Sequence, residues 1–493
     1  MLSLPAGHGD PPPPGLSAET RPSPHAPSSP KARPRGLNIL SLNPARAHGN
    51  HFARITGDPL SGAFSSKTAV HAGMGGRPVP QGEIPAALEK LRNTPRRGAA
   101  AAYVHVPYCE TRCTYCGFFG GKYTPEAGAA YVRTLTGEIE SESPLPCVAS
   151  SPVNALYIGG GTPTALEAKD LAALLRALRS ALPLANDCEI TVEGRLHSFG
   201  EDKIEACLRE GVNRFSLGVQ SFNTELRRGL GRLSSREEII GRLRALAAYN
   251  QAAIVLDLIY GLPGQTLKDW EEELRTFLEL PLDGVDLYQL NIFPGSLLAK
   301  GVEAGKIPPP APLAEQGKFF ALGVSLLQGA RCRRISMSHW NCTARERNLY
   351  NPLAKSRADC LHYGAGAGGF LQGWFMYNHS NVESYSAKRA RGEKPVAALA
   401  APPDNLPLMR LILEQMEQCR LNLDMVGETL SRLFGAEADE ARALYAPLLE
   451  NWEEAGLIAR DGPWMELTLA GQFWQVNITQ AFLERLTDIC VKK

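Results

Sequence analysis

Three cysteines lie close together in one short stretch of the sequence: Cys109, Cys113 and Cys116, with the spacing C-x3-C-x2-C. Thiolate sulfur is the preferred ligand of iron–sulfur clusters, and three thiolates can occupy three corners of a cuboidal cluster. No fourth cysteine follows in residues 117–121, so one iron would be free to bind another molecule. Chance grouping or a zinc knuckle are the alternatives, but a structural zinc normally has four protein ligands.

Length and composition exclude several classes of protein. The 493 residues are too many for one ordinary domain, and 52 Lys and Arg nearly balance 51 Asp and Glu. This balance argues against a nucleic-acid or anionic-membrane partner and favours a small molecule. No apolar run of membrane-spanning length is present, so we expect no membrane insertion. Eleven cysteines, eight of them outside the loop, predict metal ligation plus buried free thiols in a reducing compartment, the cytoplasm.

Short apolar runs alternate with amphipathic segments over residues 99–300. The runs that predict strands are 101–106, 155–158, 189–192, 214–219, 254–259 and 285–290. The segments that predict helices are 129–140, 168–182, 203–210, 236–249 and 267–278. This alternation is typical of a parallel sheet covered by helices. We expect an α/β fold, a partial TIM-like (β/α)6 barrel whose site lies at the C-terminal ends of the strands.

The regions around this barrel differ in composition. Residues 1–36 contain ten prolines and few large apolar side chains, so we expect a disordered extension. Residues 37–98 are expected to pack on the barrel, and residues 301–400 to connect the domains and form part of a substrate pocket. Residues 401–493 predict three amphipathic helices and a hairpin, a winged-helix-like domain without a clustered basic recognition helix.

Residues with chemical potential recur where the predicted strands end. The cysteine loop follows the first strand and a glycine run, 159–161, follows the second. Glu193 and Arg195 come after the third, Gln220 ends the fourth, and Asp257 lies in the fifth. Any one of these could only cap a helix or pair with a neighbouring charge. Their recurrence at the same end of successive strands favours a shared pocket.

Four motifs identify the sequence as resembling one superfamily. YVHVP at 103–107 together with the cysteine loop resembles the cluster-binding segment of radical S-adenosylmethionine (SAM) proteins. YIGGGTPT at 157–164, LGVQSFN at 217–223 and LDLIYGLPG at 256–264 resemble the branch that contains oxygen-independent coproporphyrinogen III oxidase. The resemblance implies a [4Fe-4S] cluster, bound SAM and a low-potential electron donor such as a flavodoxin or ferredoxin.

Within that branch, three further stretches resemble the anaerobic haem-degrading methyltransferases, of the anaerobilin synthase or haem-utilisation type. They are CGFF at 116–119, VEGR at 192–195 and SHWNCTARERNLYN at 338–351. The coproporphyrinogen enzyme usually has another cysteine two places after the third ligand, where this chain has Phe118. Its Glu-x-Asp-Pro-Arg motif is also replaced around Glu193. Both departures favour haem breakdown over haem synthesis.

The resemblance also implies roles for single residues. Cys109, Cys113 and Cys116 would bind the iron–sulfur cluster. Contacts with the cluster-bound SAM fall on Tyr103, Tyr115, Gly160 and Glu193. Positions that hold a second SAM in the coproporphyrinogen branch are Gly161, Thr162, Gln220, Arg232 and Asp257.

A haem substrate would need cations for its propionates and flat or soft side chains for its ring. The stretch 331–350 combines both kinds: Arg331, Arg333, Arg334, Arg345 and Arg347 with Met337, His339, Trp340 and Tyr350. A solvated basic segment is the alternative. His339 is a candidate catalytic residue that would bind haem iron or move a proton, or else a core histidine with satisfied hydrogen bonds. The glycine-rich stretch 363–369 is a second candidate wall of the pocket.

The resemblance therefore predicts an enzyme that methylates and opens the haem ring without oxygen and releases the iron. Two alternatives stay open. The chain could decarboxylate coproporphyrinogen III in haem biosynthesis, or it could deliver intact haem as a chaperone without catalysis.

Overall fold

The computed structural model describes residues 51–67, 71–72, 76–117, 119–435 and 438–491. The extension predicted over 1–36 and Phe118 lie outside these residues. In chain order the strands are β1 (Arg77–Pro78), β2 (Ala100–Val106), β3 (Tyr108–Cys109), β4 (Gly121–Lys122), β5 (Val153–Gly160), β6 (Leu184–Gly194), β7 (Arg214–Gln220), β8 (Ala253–Tyr260), β9 (Gly284–Gln289), β10 (Arg333–Arg334), β11 (His339–Asn341), β12 (Asp359–Tyr363), β13 (Gly368–Leu371), β14 (Trp374–Asn378), β15 (Val396–Ala401), β16 (Arg420–Asn422), β17 (Ile458–Asp461) and β18 (Trp464–Leu467).

The helices, in the same order, are α1 (Pro59–Gly62), α2 (Ile84–Arg92), α3 (Pro125–Glu142), α4 (Pro146–Ala149), α5 (Ala168–Ala181), α6 (Glu201–Arg209), α7 (Thr224–Gly229), α8 (Arg236–Ala248), α9 (Leu267–Leu278), α10 (Leu297–Glu303), α11 (Leu313–Gly329), α12 (Tyr350–Lys355), α13 (Val382–Ala390), α14 (Leu406–Glu417), α15 (Leu423–Phe434), α16 (Ala438–Glu454), α17 (Leu469–Phe473) and α18 (Gln475–Val491). Across the described ranges, none of these helices combines the length and the apolar character needed to span a membrane.

Seven neighbouring strands of the central sheet run parallel, in the order β12-β2-β5-β6-β7-β8-β9. Six of them are the strands predicted from the apolar runs, so the strand–helix alternation is confirmed. The seventh, β12, pairs Asp359 with Ala100 and Tyr363 with Val104. The prediction of six parallel strands was one short, because β12 comes from the region that the sequence assigned to a connection.

The sheet continues with antiparallel strands on both sides of this parallel centre. Strands β13, β14, β15 and β1 follow β12, and strands β11 and β10 follow β9. The full sheet therefore has 13 strands within the described part of the chain. Residues from both the N-terminal segment and 301–400 contribute to it.

Alternation of side chains gives the parallel strands two different faces. In β2, Ala102 and Val104 point into the large apolar core with the helices, whereas Ala101 and Tyr103 belong to a separate small group that includes Leu353 of α12. We call this second side of the sheet the inner face. The same alternation places Glu193, Asp257 and Asp286 on the inner face, between the core residues of β6, β8 and β9.

Local capping explains where the covering helices begin. Thr124 accepts a hydrogen bond from the Ala127 N–H, and Pro125 occupies the first turn of α3. These signals start α3 four residues before the helix predicted from hydrophobic periodicity alone. Ser235 and Thr266 form capping boxes at α8 and α9, whose observed starts agree with the prediction.

The C-terminal region contains the three predicted helices, α14, α15 and α16, and a small antiparallel sheet of order β16-β18-β17. The three helices and the hairpin β17–β18 are confirmed, and β16 is a strand that the sequence did not predict. The N-terminal segment contacts this region directly. The Trp474 indole N–H donates to the Pro59 carbonyl oxygen at 3.0 Å, and the Ala53 N–H donates to Asn451 Oδ1 at 2.7 Å.

One expectation about the cysteines was wrong. Cys332 and Cys342 form a disulfide, although all cysteines outside the loop were predicted to be free. The two residues flank the β10–β11 hairpin, in which Arg333 pairs with Asn341. This antiparallel register brings the two Cα atoms to 4.3 Å, a proximity that cysteine spacing alone cannot reveal.

A buried ion network joins α3 to the strand region around β12. The Lys394 ammonium donates to Glu138 Oε1 and Glu142 Oε2, both at 3.0 Å. Glu138 also accepts from the Gly364 N–H at 2.9 Å and the Tyr385 hydroxyl at 2.6 Å. All three charged side chains are at most 7% exposed. Because water is excluded, each buried charge is stabilised by its oppositely charged partner.

Replacing Lys394 by Met should therefore destabilise the fold strongly, because it leaves two buried carboxylates without their cation. We expect the free energy of unfolding in urea at pH 7 to fall by ~3–5 kcal/mol. Lys388→Met is the matched control, since Lys388 pairs with Glu393 at the surface, and it should cost less than about 1 kcal/mol. Equal small losses in both variants would contradict the role of this network.

Candidate active site

The three cysteines lie on the loop that follows β2, at the C-terminal end of the parallel strands. Cys109 and Cys113 are buried and Cys116 is half-buried. Backbone hydrogen bonds anchor both sides of the loop. The Tyr123 N–H donates to the Cys109 carbonyl at 2.9 Å, and the Leu298 N–H donates to the Thr114 carbonyl at 2.8 Å. The predicted placement of the loop at the strand ends is confirmed.

Polar donors surround the sulfur atoms. The Thr162 hydroxyl donates to Cys109 Sγ at 3.3 Å, and Arg195 Nη2 lies 3.7 Å from the same sulfur. Burial raises the pKa of Cys109, while the Thr162 hydrogen bond and the Arg195 charge act against that rise. Arg232 donates to the Tyr115 hydroxyl at 2.9 Å and also bonds Cys113. Such donors stabilise the thiolate form of cysteine. They also tune the reduction potential of an iron–sulfur cluster that the thiolates bind.

The donor set fits a cuboidal iron–sulfur cluster. Three thiols lie on one loop, and Cys109 and Cys113 each contact a guanidinium. The glycine run, and not a fourth cysteine, packs against this loop. In the parts of the chain described above, no group of three or more His, Cys, Asp or Glu residues is placed to hold a single metal ion. A cuboidal cluster has a different requirement, one thiolate for each of three irons.

The glycine run lies against the cysteine loop. Gly160 has φ +111°, and a Cβ atom there would lie 2.7 Å from the His105 ring. A Cβ on Gly161 would lie 2.6 Å from the Tyr108 carbonyl oxygen. On Gly159 it would lie 2.6 Å from Glu193 Oε2. No side chain fits at these positions, so the close approach of the two segments depends on glycine.

Two predicted SAM contacts, Gly160 and Glu193, come together in the structure. Glu193 Oε2 accepts from the Gly160 N–H at 3.1 Å, and Oε1 accepts from the Tyr157 hydroxyl at 2.5 Å. Burial raises the pKa of Glu193, and both hydrogen bonds oppose that rise. A third predicted contact, Tyr103, stacks on Tyr157 with ring centroids 6.3 Å apart. These residues form one side of the inner face, directly below the glycine run.

The other predicted positions adjoin the strand β7. Arg232 Nη1 donates to the Gly218 carbonyl at 2.6 Å, which adds a second anchor for this arginine. Gln220 has φ +71°, at an irregularity in the pairing of β7 with β8. Such a left-handed conformation is strained for glutamine and is typical of functional sites. The structure therefore brings Thr162, Tyr115 and Arg232 to the cysteine loop and keeps Gln220 at the adjacent strand end.

Asp257 lies on the inner face in a strongly acidic setting. Burial raises its pKa to about 8, and the carboxylates of Asp286 and Glu193 contribute to the rise. Arg214 and His339 act in the opposite direction without cancelling it. Asp257 is therefore mainly protonated at neutral pH and can donate a hydrogen bond to a bound molecule.

His339 occupies the protein interior, which matches the predicted alternative of a core histidine and not that of a substrate-facing residue. Its ring is fully buried on β11, where Nδ1 lies 2.6 Å from Asp286 Oδ2 and Nε2 lies 3.0 Å from Glu346 Oε1. Arg214 donates to both Glu346 oxygens at 3.0 and 3.1 Å. These partners raise the pKa of His339 to about 9. With both ring nitrogens engaged, the histidine serves this ion network rather than a haem iron.

The arginines of 331–350 do not converge on the strand ends. Arg345 bonds Asp283 at 2.9 Å, just before β9 begins, so it lies at the opposite end of the sheet from the cysteine loop. Arg347 bonds Asp187, near the start of β6, at 3.4 Å. Arg334 packs between the rings of Phe320 and Trp340, and Arg331 and Arg333 are exposed. The prediction of a propionate-binding cluster in this stretch was wrong.

Tyr350, unlike these arginines, lies beside the tyrosines of the inner face. Its ring stacks on Tyr157 with centroids 4.4 Å apart and lies 6.2 Å from Tyr103. Tyr288 also points from the inner face and is 41% exposed, which leaves it accessible to a bound molecule. The stretch 363–369 is mostly buried against α3, where the Tyr131 hydroxyl accepts from the Ala365 N–H at 2.8 Å. Its role as a pocket wall stays a prediction.

For several residues of this site, the sequence did not predict the contacts that the structure shows. Arg195 stood in a strand-end motif, and its position two residues after Glu193 was the available signal for a role beside the loop. Arg214 gave no signal, because its partner Glu346 is 132 residues away. Tyr157 preceded the glycine run, and strand alternation could have placed it on the same face as Glu193.

The chain is similar to known proteins of one superfamily. The radical SAM superfamily model matches residues 103–277. Anaerobilin synthase from Escherichia coli O157:H7 is 38% identical over 451 residues, which cover 91% of this chain and 96% of that protein. Heme chaperone HemW from Bacillus subtilis is 28% identical over 58% of this chain and 74% of its own length. Among solved structures, coproporphyrinogen III oxidase from E. coli, a radical SAM enzyme, has the same fold, with a TM-score of 0.68, 23% identity and coverage of 85% and 96% of the two chains.

Cys116→Ala should prevent stable cluster assembly, because two thiolates cannot hold a cuboidal cluster with one open iron. After anaerobic reconstitution we expect the wild-type chain to hold about four irons and the variant to lose most of its iron and its broad visible absorption. Cys419→Ala, which removes another half-buried thiol outside the loop, should retain both. Full iron content in Cys116→Ala would contradict the assignment.

Asp257→Asn should stabilise the fold increasingly as pH rises. Between the unfolded pKa of about 3.9 and the folded pKa of about 8, the folded wild-type chain keeps a proton that the unfolded chain has lost, so its stability falls with pH. The variant lacks this dependence, so its stability relative to wild type should rise by about 4 kcal/mol between pH 5 and pH 8. Urea unfolding from pH 5 to 9, with the exposed Asp187→Asn as control, measures the difference. A constant difference across this range would refute the buried acid.

Proposed function

The chain belongs to the radical SAM superfamily, and from that premise we propose that it methylates and opens the haem ring without oxygen and releases the iron. The observation that carries the proposal is the 38% identity to anaerobilin synthase over nearly the whole length of both proteins. The cysteine loop with its single open iron position supplies the cofactor chemistry that such an activity requires. The enzyme uses a [4Fe-4S] cluster and SAM.

Different residues of the chain would hold the [4Fe-4S] cluster and SAM. When bound and reduced, the cluster supplies the electron that breaks a carbon–sulfur bond of SAM. Cys109, Cys113 and Cys116 would hold it, and Arg195 and Arg232 would offset the charge of the thiolates. Gly160 and Glu193, which Tyr157 fixes, would contact the bound SAM, with the Glu193 carboxylate as partner of its amino group. Cys109 and Cys113 are buried, so water has little access to these two ligands.

The inner face supplies what a tetrapyrrole requires. The rings of Tyr103, Tyr157 and Tyr350 form an aromatic stack, in which the half-buried Tyr103 and Tyr350 would contact a flat macrocycle. Tyr288 extends this surface on β9. Asp257, whose pKa is raised mainly by burial and further by its acidic neighbours, would donate a hydrogen bond or a proton to the substrate or to SAM. The substrate therefore lies between the strand ends and the aromatic stack.

A second SAM is a further part of this proposal. The five positions that correspond to it are Gly161, Thr162, Gln220, Arg232 and Asp257. Thr162 and Arg232 already bond the cysteine loop, so their first role is to support that loop. Gln220 and Asp257 are the better candidates for direct contact, because one is conformationally strained and the other faces the inner side.

The second candidate function is a chaperone that transfers intact haem. The 28% identity to Heme chaperone HemW over 74% of that protein favours it as the alternative. A biosynthetic role in coproporphyrinogen decarboxylation has the support of a shared fold alone. In each case the protein would work in the cytoplasm. The catalytic roles also require a low-potential flavodoxin or ferredoxin as electron donor.

One anaerobic incubation separates the three functions. The reconstituted chain is mixed with haem, SAM and a low-potential reductant, and the products are separated by mass spectrometry. We expect the haem absorption band to disappear and a methylated, iron-free linear tetrapyrrole to form. Persistent haem that passes to an apoprotein without SAM turnover would favour the chaperone. Turnover with coproporphyrinogen III in place of haem would favour biosynthesis.

A further inference from the structure

A depression opens on the surface beside the cysteine loop. It is shallow and is lined by short segments that meet at the ends of β6 and β7. They are the loop residues 110–111, the turn 195–197, residues 218–219 of β7, and residues 227, 232–234 and 239. The depression therefore lies directly outside the chain segment that carries the cluster ligands.

Cations dominate this depression. Arg195, Arg227 and Arg232 all line it, against one carboxylate, Glu110. Their hydrogen bonds go to carbonyl oxygens, hydroxyls and sulfur: Arg227 donates to the Ser234 and Val219 carbonyls, and Arg195 to the Thr111 carbonyl at 3.0 Å. None of these partners is a carboxylate, although Arg195 and Arg232 also offset the charge of the Cys109 and Cys113 thiolates. A positive potential at the loop is the result.

An exposed apolar side chain stands at the rim of the depression. Leu233 is 66% exposed, the largest exposed fraction among the large hydrophobic side chains of the described residues. Arg112, also exposed, lies on the cysteine loop close to Gly231. Arg228 is exposed too but pairs with Glu225. An accessible apolar group among cations is typical of a protein-binding surface rather than of a small-ligand site.

The side chain of Arg195 connects the depression to the cluster ligand Cys109. Arg195 Nη1 bonds Thr111, and its Nη2 lies 3.7 Å from Cys109 Sγ. Electron transfer slows steeply with distance, so a donor protein must dock where the ligands come nearest to the surface. A second lining residue, Arg232, bonds Cys113, so the depression reaches two of the three cluster ligands.

We propose that this depression, with Leu233 and Arg112 at its rim, is the docking surface for an acidic, low-potential one-electron carrier protein. The inference rests on the proposed function, which requires such a reductant. In the transfer the carrier is oxidised by one electron and the cluster held by Cys109, Cys113 and Cys116 is reduced by one electron. No bond forms or breaks and no proton needs to move. Charge complementarity would set the association rate, as in other transient electron-transfer pairs.

The test compares two reductants on the full-length chain with its cluster. Leu233→Glu places a negative charge at the centre of the contact with an acidic partner. With reduced flavodoxin as donor, we expect the flavodoxin concentration for half-maximal turnover to rise about tenfold. With dithionite, a small reductant, the turnover rate should match wild type. Leu267→Glu, which alters an exposed leucine on α9, should behave as wild type with both.

Ionic strength gives a second, mutation-free measurement. Added salt screens exposed charges, so the flavodoxin requirement of the wild-type chain should rise with salt while the dithionite rate stays constant. An unchanged flavodoxin requirement in Leu233→Glu, or one that is independent of salt, would overturn the docking surface. If Leu233→Glu loses the dithionite rate as well, the salt dependence decides. Failure of wild type with dithionite would instead refute the proposed function.

Discussion

The close packing of the 159–161 backbone against the cysteine loop is the constraint on which the rest of the site depends. Gly161 donates its N–H to the Val106 carbonyl at 2.7 Å, and Thr162 donates to the Tyr108 carbonyl at 2.8 Å. These bonds tie the end of β5 to the segment that leads into Cys109. The same approach brings the Thr162 hydroxyl to the Cys109 sulfur and the Gly160 N–H to Glu193. A side chain at any of the three glycines would separate the cluster ligands from the carboxylate that faces them.

A second constraint is the concentration of charge on the inner face. Glu193, Asp257 and Asp286 share this face, and the buried cations near them are Arg214 and His339. Ionised carboxylates this close together repel one another in a medium of low polarity. Two features of the structure reduce this repulsion. His339 and Arg214 stay charged to compensate Asp286 and Glu346, and Asp257 keeps its proton. The ion network of the inner face thereby adds to the effect of burial on the protonation of Asp257.

The sequence predicted the parts of the structure whose signals are local. Strand and helix periods placed six parallel strands, and glycine and cysteine spacing located the site at their ends. It failed where contacts join distant segments. The strand β12 and the disulfide between Cys332 and Cys342 depend on pairings that no local pattern encodes. The arginines of 331–350 looked like a binding stretch because of their charge, but Arg345 and Arg347 pair with acids at the other end of the sheet.

The central claim is that three cysteines hold a [4Fe-4S] cluster whose fourth iron binds SAM. Electron paramagnetic resonance of the reduced chain, recorded with and without SAM, tests it most directly. Binding of the SAM amino and carboxylate groups to the open iron should change the signal, and SAM labelled with nitrogen-15 should show a hyperfine coupling to the cluster. A spectrum that SAM leaves unchanged, with no such coupling, would contradict the account.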